Sequence, residues 1–404
     1  MPTVDDIVDF GRIILVVAGG LSIAIAVRVG ASRIGLPTAA LLLTFAAVAS
    51  DLSERLASLL SFEDVQRVAT LALIAILFDG GMSIGLRRFR SAAVPITILG
   101  VVGTFGTAPL MAVAAHYVLG FDWTVALLIG AALAPTDPAV TFSVLAGKEV
   151  EGRSGTILEG ESGFNDPVGI ALMIGMIELA TVPEAGIADV AWEFLREMGV
   201  GLAVGAAAGF LLLHSLRRIP LPDRSLYPLA VVLAAGGIYG VTAVAHGSGF
   251  LAVFVAGIVI GDAAFPRRIE VRHFTSSLAD LGELAVFVAL GLTIDLGYIF
   301  AGAIWWQGLV LAVLLGFVVR PLVVTPLLLP SRLSRGERLF VTWAGLKGAV
   351  PILLASLAVV AGTDQALQIY EIVFVVVLFS VVVQGTLVPV VAQRLGVPMV
   401  DADP

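Results

Sequence analysis

The sequence predicts an all-α polytopic membrane protein with thirteen transmembrane helices. Three observations predict it. Of its 404 residues, 59% are apolar and 13% charged, with a mean hydropathy of +1.04. Soluble domains carry about a quarter charged residues, so lipid must be the solvent for most of this chain. Apolar stretches of about 20 residues, long enough to cross a hydrocarbon core as helices, recur from end to end. Basic residues also segregate into alternate connections between those stretches. Since an open sheet edge does not survive in hydrocarbon, the spans are expected to be helices.

The spans read as 11–30, 36–50, 68–86, 93–117, 123–146, 155–180, 190–216, 226–245, 248–262, 275–294, 300–329, 338–361 and 368–392. The second and ninth are short, consistent with neighbours covering their ends. Ser50–Arg67 is amphipathic and is expected to lie along the outer surface. One set of alternate connections holds Arg28/Arg33, Arg87/Arg88/Arg90, Lys148/Arg153, Arg217/Arg218/Arg224, Arg267/Arg268/Arg272, Arg332/Arg335/Arg338 and Arg394. That is 17 of the 23 basic residues, against Arg12, Arg55, Arg67 and Arg196 in the other set. Basic loops stay cytoplasmic, which places the N-terminus outside and the C-terminus inside a cell membrane. One missed span would scramble the alternation.

Several chemistries are excluded or left without support. There is no cysteine, so disulfides and thiolate-bound metals are out. The four histidines are scattered without a zinc pattern, and no cofactor is expected. The net charge of −8 offers nothing for nucleic acid. An acidic N-terminus (Asp5, Asp6, Asp9) is the opposite of a cleavable signal peptide, so the first span is expected to stay as a helix.

Charges inside the spans carry the functional signal. Arg320, Lys347, Asp79, Asp137, Glu161, Asp166, Glu283 and Glu371 all fall within them. Each costs about 2.5–3.5 kcal/mol at a helix centre on insertion scales, so such residues pair or line an aqueous pathway. The fifth span is interrupted by Pro135-Thr136-Asp137-Pro138. Two prolines around a polar pair should break the helix and expose backbone groups, tolerated only where they line a cavity or are buried in protein. The twelfth span is interrupted at Gly345-Leu346-Lys347-Gly348-Ala349-Val350-Pro351. Lying seven spans later, it crosses in the opposite sense. Paired breaks in inverted positions point to a transporter site, with spans 1–6 and 8–13 as repeats and span 7 as linker. If the breaks cross, Asp137 compensates the meeting helix N-termini and Lys347 the meeting C-termini.

The sixth span begins with Glu161, Ser162, Asn165 and Asp166 within two turns. Ser162 and Asp166 share one face, Glu161 and Asn165 the adjacent one. Hard cations prefer oxygen ligands. A buried carboxylate can be neutralised by a proton or by a cation, but not comfortably by both. That competition is the physical core of exchange. Asp137 and the freed Thr136 carbonyl should face Ser162 and Asp166 across the cavity. Arg320 needs a buried acid, with Glu161 the first candidate and Glu283 the second. Asp79 and Glu371 read better as structural.

Phe78-Asp79-Gly80-Gly81-Met82, Pro135-Thr136-Asp137-Pro138, Glu159 through Pro167 and Gly345 through Pro351 together resemble the NhaP-like monovalent cation/proton antiporters, in order and spacing over nearly the whole chain. The flavour of the first and last motifs looks most like the potassium/proton, cell-volume-regulation subgroup. The resemblance implies a homodimer, each protomer a scaffold plus a mobile six-helix core moving by an elevator-like displacement. It implies a monovalent cation (Na⁺, K⁺ or Li⁺) exchanged for H⁺ at Asp166, with Asp137, Ser162 and the Thr136 carbonyl as ligands. Glu161, Asn165 and Arg320 would form the supporting polar cluster. The Asn165-Asp166 pair implies electroneutral exchange. Lys347 stands where many relatives have Arg, and an ammonium does not make the bidentate contact of a guanidinium. That subgroup often carries a cytoplasmic regulatory domain, and this sequence is expected to hold the transport unit alone. A sodium-coupled symporter of an organic anion shares the architecture and is the alternative. A channel would draw its filter from oligomer symmetry instead.

Overall fold

The computed structural model describes residues 4–34, 37–137, 140–141 and 148–401. Each of the thirteen predicted spans coincides with helix among them. Span 1 is Val4–Ile34, span 2 Thr38–Leu52, span 6 Arg153–Thr181 and span 7 Ile187–Arg218. Span 8 is Leu226–Val244, span 9 Gly249–Gly261 and span 10 Arg268–Leu292. Residues 138–139 and 142–147, in the second half of span 5, lie outside the described residues.

Span 9 has only 13 residues, about 20 Å of helix against a core of about 30 Å. Every one of those residues is buried, because spans 3, 7 and 8 enclose it. Glycine makes that approach possible. A Cβ on Gly81 of span 3 would meet the Phe254 carbonyl, and one on Gly257 would meet the Phe78 carbonyl.

Spans 3 and 4 differ from expectation at both ends. Span 3 starts at Phe62 rather than 68, because Ser61 and Asp64 form a reciprocal capping box. The expected surface segment therefore shrinks to the single turn Glu54–Ala57. No loop separates spans 3 and 4. The chain reverses at Gly85, whose φ of +66° suits glycine. Asp262 packs against Gly85 and accepts from the Arg87 backbone N–H at 2.7 Å, so this acid caps the start of span 4. Arg87, Arg88 and Arg90 ride on the first turns of that helix.

Spans 4, 11 and 13 each contain a π-helical stretch: Ile98–Gly103, Leu315–Val319 and Ser380–Gly385. Pro321 and Pro389 would clash with the carbonyls four residues before them, at 317 and 385, within two of those stretches. Widening the helix relieves the clash. Span 11 is shorter than predicted, since Leu296–Ala301 forms a separate helix before Ile304–Leu314 and Arg320–Leu327. Span 13 comprises Ala366–Phe379 and Thr386–Arg394 around its π stretch. A two-stranded antiparallel ribbon, Lys148–Val150 with Met399–Asp401, was not anticipated. It ties the connection after span 5 to the end of the chain.

Candidate functional site

Span 5 is helical over Trp123–Leu133 and loses its helix at Ala134. Span 12 is helical over Arg335–Trp343 and again over Ala349–Val360. The two interruptions cross and bond to each other. The Asp137 N–H donates to the Leu346 carbonyl at 2.8 Å, and Thr141 Oγ1 donates to the Ala344 carbonyl at 2.7 Å.

Each loose helix end among the described residues of this crossing meets a charge. Lys347, 2% exposed, donates from Nζ to the Ala134 and Pro135 carbonyls at 2.9 and 2.6 Å. Those oxygens lie where the helix ladder has stopped, at the negative end of its dipole. The Asp137 carboxylate packs against Gly348, where a Cβ would collide with it. Gly348 precedes the N-terminus of Ala349–Val360, so this acid sits at the positive end of that half-helix. That is its expected place at this N-terminus; the expectation for the second N-terminus, after Pro138, lies outside the described residues.

The other loose C-terminus corrects an expectation. Lys347 does not serve both. Arg320 donates from Nε to the Thr342 carbonyl at 2.8 Å and from Nη2 to the Val341 carbonyl at 3.2 Å. It also forms a bidentate pair with Glu161, at 3.0 and 3.2 Å, both residues under 5% exposed. Sequence reasoning found the acid but missed the carbonyls. The signal was donor arithmetic: a carboxylate occupies two of five guanidinium N–H groups, and the rest need partners when buried.

Span 6 presents its two polar faces to Thr136. Asn165 Nδ2 donates to Thr136 Oγ1 at 2.7 Å, and the Thr136 N–H donates to Asn165 Oδ1 at 3.3 Å. Ser162 Oγ donates to the Thr136 carbonyl at 2.6 Å. Three bonds thus clamp the broken segment onto span 6. Asp166 is different. It is 5% exposed, and its Oδ1 is buried with no hydrogen-bond partner. Buried carboxylate oxygens without partners are costly and rare, which marks this one as available for a proton or a cation.

Asp166, Ser162 and Asp137 line the inner part of a cavity of about 330 Å³. Its walls also carry Asp79, Glu159, Asp280 and Glu283, with Arg88 and Arg272 among the more exposed residues. Arg88 and Arg272 come from the basic connections, so the cavity leads toward the face that bears them. Glu283 lies on this wall and not beside Arg320, which removes it as that arginine's partner. Toward the opposite face the walls are joined. The Tyr370 hydroxyl bonds Thr293 Oγ1 at 2.6 Å, and its ring edge packs on Phe62 with centroids 5.1 Å apart. Glu371 Oε1 accepts from the Asp295 N–H at 3.0 Å.

Residues 20–394 match the family described as sodium/hydrogen exchanger, transmembrane. The chain is 34% identical over 392 residues to the K⁺/H⁺ antiporter NhaP of Alkalimonas amylolytica, covering 95% of this chain and 67% of that one. It is 28% identical to the Na⁺/H⁺ antiporter ApNhaP of Aphanothece halophytica, over 81% of this chain and 64% of that one. Its fold is similar to that of the sodium proton antiporter MjNhaP1 of Methanocaldococcus jannaschii, with a TM-score of 0.80 at 22% identity, covering 96% and 99% of the two chains.

Proposed function

The chain belongs to the sodium/hydrogen exchanger family, and we propose that it exchanges Na⁺ or K⁺ for H⁺ by alternating access, with the two ions competing for Asp166. It is a transporter and not an enzyme. The observation that carries this reading is the unpartnered Asp166 Oδ1 at the inner end of a charged cavity. Asp137 and Ser162 lie beside it and complete an oxygen-rich site once the Ser162 lone pairs turn to a cation. The Asn165–Thr136 clamp and the Arg320–Glu161 pair hold the broken helices in register.

In this reading the basic face is cytoplasmic, the cavity is open inward, and the Tyr370–Thr293–Phe62 contact closes the outward path. Spans 1–6 and 8–13 act as the inverted repeats around span 7. The protein sits in the cell membrane as a homodimer. Asn165 leaves one titratable group in the Asn-Asp pair, which supports electroneutral exchange of one proton per cation. In proteoliposomes, adding Na⁺ or K⁺ without any organic solute should release protons into or out of the lumen, at a rate unaffected by a clamped membrane potential. Proton movement that requires an added organic anion would overturn antiport. A rate that follows the potential would overturn electroneutrality.

A further inference from the structure

Three acids on spans 3 and 10 face the cavity from the side opposite span 6: Asp79, Asp280 and Glu283. Asp79 accepts from Thr275 Oγ1 at 3.1 Å, and Asp280 pairs with Arg28 at 2.9 Å. Glu283 has neither a hydrogen bond nor an ion pair among the described residues, although it lies within electrostatic reach of Asp137 and Arg28. Span 10 packs on Ala349–Val360, whose first residues, Ala349 and Val350, share the cavity lining with Glu283 and Asp166. Glu283 is therefore an unengaged carboxylate across the cavity from Asp166, whose Oδ1 is buried without a partner.

We infer that Glu283 is a cation-binding carboxylate of the span 10 wall, which holds the arriving Na⁺ or K⁺ together with Asp137 on its way to Asp166, and only while the cavity is open to the basic face. The inference rests on the proposed exchange at Asp166. An acidic wall in a low-dielectric funnel concentrates cations and slows their escape. Asp137 lies on the broken span 5 and Asp166 on span 6, which the Thr136 bonds clamp together, whereas Glu283 lies on span 10. In the alternating-access reading proposed above, spans 5 and 6 move together and leave Glu283 behind. Its contribution to affinity is thus confined to one face, and release to the other face is eased by its absence.

The test uses the full chain in membrane vesicles of each orientation, with the KM for the transported cation measured from each face. Glu283→Gln should raise the KM at the basic face by about tenfold, leave the opposite-face KM within about twofold, and retain turnover at saturation. Glu283→Asp, which keeps the charge, should restore most of the basic-face affinity. Equal shifts at both faces, no shift at either, or loss of turnover in a folded Glu283→Gln protein would overturn the inference. If Glu283→Gln fails to fold, Glu283→Ala is measured in its place and must raise only the basic-face KM. A wild-type protein without cation/proton exchange would instead defeat the underlying reading, independently of Glu283.

Discussion

Asp166→Asn is expected to reduce cation/proton exchange in proteoliposomes to the level of protein-free vesicles, for Na⁺ and K⁺ gradients alike. The amide keeps the size and shape of the side chain but can neither release a proton nor offer a charged oxygen to a cation. Its effect on stability separates a transport role from a structural one. Asp166 Oδ1 has no hydrogen-bond partner in its buried position, so the amide breaks no bond at that atom. Removing a charge from a buried site lowers a desolvation penalty instead. The thermal midpoint of the purified variant should be equal to or above that of the wild type, a stability gain at the expense of activity. A fall in midpoint together with retained exchange would make Asp166 a structural residue.

Replacing Arg320 by Met is expected to have the largest effect on stability, about 3–5 kcal/mol, because it leaves a buried charge unpaired. Glu161 would lose both of its bonds, and the Thr342 and Val341 carbonyls would lose their donors. The methionine chain fills much of the same space, which isolates the polar loss from a packing loss. Thermal unfolding in detergent measures it. Adding Glu161→Gln to Arg320→Met removes the orphaned charge and should recover part of the loss. Recovery should stay incomplete, since the uncapped carbonyls at the end of Arg335–Trp343 remain. Full recovery would mean that the arginine serves only Glu161.

The overall architecture was legible because lipid constrains a sequence so strongly. Long apolar runs and basic connections mark spans whatever their tertiary partners, and all thirteen spans coincide with helix. The breaks in spans 5 and 12 were equally plain, since Pro135 and the Gly345–Gly348 stretch interrupt helices for local backbone reasons. Glu161 with Arg320 followed from the rule that a buried charge needs an opposite. Other features depend on approach in space. The Asp262 cap on span 4 joins residues 175 positions apart, and the ribbon of 148–150 with 399–401 joins residues about 250 apart. Nothing local announces either. The early start of span 3 is a different case: Ser61 and Asp64 have capping-box spacing, but the apolar pattern begins later and masked it. Glu283 read as a candidate partner for Arg320, because a residue's type says that it needs company but not which wall it stands on.

The claim that one carboxylate carries both ions is tested most directly on the wild-type protein, by the cation dependence of exchange at a series of pH values. A single shared site makes the proton a competitive inhibitor of the cation. On the acidic limb, the apparent KM for Na⁺ or K⁺ should rise by about tenfold per pH unit, as linkage of one proton requires. The maximal rate at saturating cation should stay constant over that range. A maximal rate that falls with acidification at unchanged KM would place the proton at a second site and contradict the account.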